Sequence, residues 1–199
     1  MLGVTLVTED PLSQAVGERL VDDADGRLTI VERLGQRGAG HLRSRFRQWC
    51  EIARQRLVLL ITDLDRGECA QGLIEEWSQH DVRPEGLLFR VAVRETESWL
   101  LADSEGVAEF LGINRRAIPR DPDRVGDPKR ELLRLAARAR RDVREDLVAA
   151  PGAVASQGLG YNVRLSTFVR SHWSLERAVE RSPSLERTRR RIRSVARTT

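Results

Sequence analysis

Residues 57–62, LVLLIT, constrain the fold more than any other stretch of the chain. Five of these six residues are large and apolar. The run is far too short to cross a bilayer, which takes about 20 residues. It shows no helical stripe and no alternation, so it reads as a strand buried on both faces, the situation of an inner strand in a parallel sheet. It stops at two aspartates one residue apart, Asp63 and Asp65.

The flanking sequence repeats the theme. GVTLVTE (3–9) reads as a strand and 11–24 as a helix with Leu12, Ala15, Val16 and Leu20 on one stripe. RLTIVERL (27–34) alternates well enough for a strand nearer a sheet edge. GQRGAG (35–40) is a glycine loop, 41–55 a helix, 68–79 a further helix and GLLFRVAV (86–93) the fourth strand. Strands and helices in this alternation imply an α/β fold, a parallel sheet flanked by helices. The second half reads as a helical C-terminal extension. Asp127 caps a helix that begins at Pro128, and 151–160 form a loop or flap. Short helices follow, and Ser182-Pro183 opens a last basic helix with Leu185, Ile192 and Val195 inward. The expected division is a core over 1–105 and a helical region over 106–199 packed on it.

Ligands of open parallel sheets bind outside the carboxyl ends of the strands, and the acids of this chain gather there: Glu9-Asp10, Asp63-x-Asp65, Glu95-x-Glu97 and, slightly later, Asp103. Residues two apart in an extended segment share a side, so Asp63 and Asp65 converge if the strand continues to Asp65. Carboxylates held together repel unless a cation or protons intervene. Hard oxygen donors suit Mg2+ or Mn2+. Taken singly, Glu9-Asp10 also fits the start of a helix, and Glu95 and Glu97 fit a first helical turn.

The basic residues add two observations. Of 34, only Lys129 is lysine, a compact, tunable charge among 33 arginines, which reads as a residue with a specific task. Residues 186–199 carry six arginines against one glutamate, leaving the remainder of the chain at about −1. Such an end fits contact with a phosphate backbone or, equally, a solvated helix face.

Several classes are disfavoured. No G-x-x-x-x-G-K-[ST] occurs, which argues against a P-loop nucleoside triphosphatase despite the strand ending LITD. Cys50 and Cys69 make no disulfide framework, and His41, His80 and His172 lack zinc spacing. GQRGAGH could offer backbone N–H groups to a phosphate, but it reads more readily as a plain tight turn. Trp49, Trp77 and Trp99 fall on helices as core residues. MLGVTLVTED has no basic segment, so no signal peptide is expected, and a cytoplasmic protein without membrane contact is the expectation.

An acid after the first strand, D-x-D after the third and an acid after the fourth resemble a Toprim domain, the catalytic fold of topoisomerases, DnaG-type primases and OLD-family nucleases. TEDPLSQAV, LITDLDRGECA, VRETESWLLAD, GDPKRELLRLA, GLGYN and SPSLERTRRRI together resemble a family of small bacterial Toprim-like proteins of unassigned function, often encoded beside an ABC- or SMC-type ATPase. The resemblance runs along nearly the whole chain. It implies catalytic roles for Glu9, Asp63, Asp65, Glu97 and Lys129. It also implies Mg2+ or Mn2+ held by Glu9, Asp63, Asp65 and Glu97 with Glu95 assisting.

The function implied is metal-dependent hydrolysis of DNA, tRNA or other RNA. By analogy with OLD systems the setting is anti-phage defence with an ATPase partner. Arg187, Arg190 and Arg191, with Tyr161 in the flap, would touch nucleic acid. The chain departs from OLD proteins in carrying no ATPase of its own. A non-catalytic subunit that binds an ATPase or nucleic acid stays open, as do phosphotransfer on a small nucleotide and self-association.

Overall fold

The computed structural model describes residues 1–79 and 82–198. Four strands, β1 (Leu2–Thr8), β2 (Leu28–Gly35), β3 (Leu57–Asp63) and β4 (Leu87–Ala92), form one all-parallel sheet in the order β2-β1-β3-β4. Helix α1 (Pro11–Asp22) connects β1 to β2. Helices α2 (Ala39–Ser44) and α3 (Phe46–Ala53) lead to β3, and α4 (Ala70–Ser78) leads to β4. The C-terminal half is helical: α5 (Thr96–Ala102), α6 (Ser104–Leu111), α7 (Pro128–Ala136), α8 (Arg141–Leu147), α9 (Tyr161–Ser171), α10 (Leu175–Val179) and α11 (Pro183–Thr198). The α/β class, the parallel sheet and the helical extension are as the sequence predicts. No helix of the described residues is long and apolar enough to cross a membrane.

The apolar run of β3 is explained by its place between β1 and β4. Alternate residues feed two different cores. Leu57, Leu59 and Ile61 join the cluster built with α1 and the C-terminal helices. Val58 and Leu60 join the cluster built with α2, α3 and α4. The second cluster centres on Phe46, Trp77 and Phe89, whose rings lie 5.2–6.1 Å apart in tilted and edge-on contacts. Each Leu or Ile removed fully from water contributes about 2 kcal/mol, which no polar residue in β3 would supply. The first cluster crosses the expected boundary near residue 105: Val4, Leu6 and Leu12 share it with Phe168, Leu185 and Ile192.

The predicted helix over 41–55 is two helices. Arg45 leaves helical backbone (φ −102°, ψ 10°), and the Leu42 carbonyl accepts the indole N–H of Trp49 at 3.0 Å. Trp49 thereby fills the core and caps α2 at once. The two edge strands differ. β2 is the alternating strand expected at an edge, and β4 packs against α11.

Candidate active site

The strand order creates the site. From β1 the chain runs outward to β2, then returns to lay β3 on the other side of β1. The carboxyl ends of β1 and β3 therefore flank a topological switch point, where open α/β sheets bind ligands. Glu9 follows β1 directly and Asp63 ends β3.

The two acids are joined by more than proximity. Glu9 Oε1 accepts the backbone N–H of Asp63 at 2.8 Å and the hydroxyl of Thr62. Asp63 Oδ1 accepts the backbone N–H and the hydroxyl of Thr96 at 2.9 and 2.8 Å, fixing the start of α5. Glu95, the residue before α5, accepts the backbone N–H of Lys129 at 2.8 Å through Oε2. Glu97, in the first turn of α5, is 5% exposed and accepts the Tyr161 hydroxyl at 2.7 Å through Oε1. These contacts hold one oxygen of each carboxylate and leave the other out of the anchoring set.

The electrostatics are those of crowded acids. Burial pushes the Asp63 carboxyl well above the usual carboxylate range, and the charges of Glu9 and Glu97 push it further against the bonds from Thr96. Burial raises Glu9, partly offset by Thr62 and the Asp63 amide and reinforced by Asp65 and Asp10. Burial raises Glu97 to about 7, against the Tyr161 hydrogen bond and the charge of Lys129. Glu95 is raised by burial and restrained by the Lys129 amide. Tyr161 is pushed far up, by burial and then by Glu97, so it acts only as a hydrogen-bond donor.

The lone lysine lies here. Lys129 is the second residue of α7, behind the Asp127 cap and Pro128. Its Nζ lies 5.2 Å from the centre of the Tyr161 ring, a cation–π distance, and its charge acts on both Glu95 and Glu97.

Three sequence expectations need correction. β3 ends at Asp63, and Asp65 lies beyond it in the left-handed region (φ 49°). Asp65 thus joins the group through a turn, not through strand alternation, and its charge still reaches Glu9 and Glu95. The flap ends before Tyr161, which begins α9 and is 1% exposed. Its apolar ring is drawn into the core, so it supports Glu97 and presents no surface to nucleic acid. Asp103 is not part of the group: it is fully buried, takes a bidentate pair from Arg177 and caps α6. Asp10 is a cap, in a capping box with Ser13, as the helix-start reading of Glu9-Asp10 has it. Arg187, Arg190 and Arg191 lie exposed on α11 and line a groove that contains none of the candidate carboxylates.

Thr62 and Thr96 escaped the sequence reading. Each precedes a candidate acid, but a threonine beside an acid carries no signal until the hydrogen bond is seen. His80 lies outside the described residues. A cavity of about 850 Å³ lies elsewhere, between α2, α3 and α4.

Among the described residues no group of three or more His, Cys, Asp or Glu side chains is arranged to hold a metal ion. The donor chemistry nonetheless fits Mg2+ or Mn2+, which are usually held by one or two carboxylates together with waters and substrate phosphates instead of an all-protein cage. Comparison of the chain with protein-family models, with curated proteins and with solved structures gives no match.

Proposed function

We propose that this protein is a Mg2+- or Mn2+-dependent phosphodiesterase acting on DNA or RNA. The observation that carries the reading is the convergence of Glu9, Asp63, Asp65, Glu95 and Glu97 at the switch point, with Glu9, Asp63, Glu95 and Glu97 raised by burial and mutual repulsion. Such an arrangement destabilises the fold unless protons or a cation neutralise it, and groups perturbed in this way cluster at functional sites. The sequence resemblance to Toprim nucleases supports the same reading.

Glu9, Asp63 and Asp65 would hold the cation, with Glu95 and Glu97 completing the set. A divalent cation supplies Lewis-acid stabilisation of a phosphoryl oxygen and a water of lowered pKa. Thr62 anchors one oxygen of Glu9 and Thr96 one oxygen of Asp63, which leaves the other oxygen of each outside those hydrogen bonds. Tyr161 fixes Glu97. Lys129 opposes the negative charge that builds on the phosphate in the transition state. An ABC- or SMC-type ATPase encoded nearby is the proposed regulatory partner, and defence against phage the proposed setting, both by analogy.

The test is cleavage of labelled plasmid, linear DNA and total tRNA with Mn2+, comparing wild type with Asp63→Asn, alone and with the neighbouring ATPase. Cleavage that falls by more than ~100-fold in the variant supports the reading. Silence of the wild type in both arms sinks it. A second reading, a non-catalytic subunit, is favoured by one observation: the anchored oxygens of Glu9 and Asp63 already serve as backbone caps.

A further inference from the structure

Helix α11 has two unlike basic faces. Arg189 and Arg193 both grip Asp23 at the end of α1, with contacts of 2.6–2.9 Å. Those arginines are fully accounted for by the fold. Arg187 and Arg191 face the other way, toward edge strand β4. There they line a groove of about 540 Å³ with Arg190, Arg197 and Arg90 of β4. An adjoining recess joins Arg90 and Arg191 to Arg83.

Among the described residues no carboxylate lies within ion-pair distance of Arg83, Arg90, Arg187 or Arg191, whereas Arg190 pairs with Glu186 at 3.1 Å. Glu85 lines the Arg83 end. Arg90 is half-buried, its Nε donating to its own neighbour's carbonyl, Phe89 O, at 2.9 Å. Burial, and then the charges of Arg191, Arg83 and Arg187, lower its pKa. Like charges gathered without a counter-charge oppose folding, and an external anion would relieve them.

We propose that this groove binds the phosphate backbone of a nucleic acid strand, with Arg83 and Arg90 as contacts additional to the C-terminal arginines. From Arg187 to Arg197 the helix advances about 15 Å, about four phosphate steps of a duplex strand. Ala70, Ile74, Val91 and Val93 line the groove beside Ser184, Thr188 and Ser194; contacts from the arginines to phosphate carry no sequence information, so binding through them is independent of sequence. The groove follows β4 to Val93, two residues before Glu95. Between them Arg94 donates to the carbonyls of Asp65 and Gly67, both at 3.0 Å, holding the Asp65 turn beside the groove's end. The strand is thereby led along the sheet edge to the carboxylates. The direction of that path rests on the function proposed above; the binding itself does not.

The experiment is fluorescence anisotropy of a labelled 20-nucleotide single strand and a 20-base-pair duplex in EDTA, from 50 to 200 mM NaCl. Wild type is expected to bind with log K falling against log salt at a slope of about −3, as four phosphate contacts require. Arg187→Gln/Arg191→Gln should lower affinity roughly 10-fold and flatten the slope by about 1.5. Arg90→Gln should do the same in smaller measure, while Arg116→Gln, an exposed arginine outside the groove, should change neither. Because Arg187 and Arg191 are exposed, that pair tests the groove even if Arg90→Gln unfolds. No binding by wild type, or a double variant indistinguishable from it, overturns the proposal. Asp63→Asn should bind like wild type, so a protein that binds but never cleaves would sink the hydrolase and leave the groove standing.

Discussion

Replacing Glu97 by glutamine should stabilise this protein, increasingly as pH rises above about 4.5. Glu97 is buried, and its carboxyl is raised from the ordinary 4.5 to about 7. At about 1.4 kcal/mol per pKa unit, that difference corresponds to about 3 kcal/mol. The sign follows from linkage. The folded-state value exceeds the unfolded one, so the neutral carboxyl's contribution is fully present below about pH 4.5. It is lost progressively between about pH 4.5 and 7, where the unfolded chain has released the proton and the folded one still holds it, and the loss is complete above 7. Glutamine is isosteric, stays neutral, and keeps an oxygen for the Tyr161 hydroxyl that Glu97 Oε1 now accepts. Glu97→Gln should therefore match wild type near pH 4.5 and exceed it by about 3 kcal/mol at pH 8.5, roughly 10 °C in Tm for a chain of this size. The assay is urea denaturation of both proteins in EDTA across that range. A difference that does not change with pH would refute the account of Glu97 as a carboxylate ionised at a cost in stability.

Three further outcomes test other parts of the structure. Added Mn2+ should raise the Tm of wild type by several degrees, and Asp63→Asn should abolish the gain, as read by scanning fluorimetry with and without EDTA. Asp23→Ala should cost about 2 kcal/mol by leaving Arg189 and Arg193 without their shared partner. Burial lifts the Asp23 carboxyl, but the bonds from both arginines more than offset this and hold it below 3.8. That stabilisation should persist above pH 4 and fade as pH falls through the lowered value, a slope the Asp23→Ala variant should lack. Gly35→Ala should cost at least ~2 kcal/mol by chemical denaturation. Gly35 sits at φ 98° in register with Thr8, and a Cβ there would meet the Thr8 carbonyl at 2.2 Å, one residue from Glu9.

The sequence by itself determined the class of fold. LVLLIT, five of its six residues large and apolar, demands a strand covered on both sides, and the alternation of strands and helices around it demands parallel pairing. Local chemistry was equally legible: Asp127-Pro128 starts α7, and Trp49, Trp77 and Trp99 are core. The lone lysine also stood out in composition alone. What the sequence left open was anything set by neighbours distant along the chain. Strand order is one such thing, because each strand's hydrophobic pattern is the same whichever strand lies beside it. Only the order β2-β1-β3-β4 brings Glu9 against Asp63, 54 residues later. The turn that carries Asp65 in from beyond the strand end is another, since φ at one residue has no periodic signature. Tyr161 and Glu97 lie 64 residues apart, and the glycine-rich stretch before Tyr161 gave the appearance of a continuous flap. The division of the C-terminal arginines belongs to the same category. Arg189 and Arg193 differ from Arg187 and Arg191 only in the face of α11 they occupy, and that face acquires meaning when Asp23 packs against one side and β4 against the other.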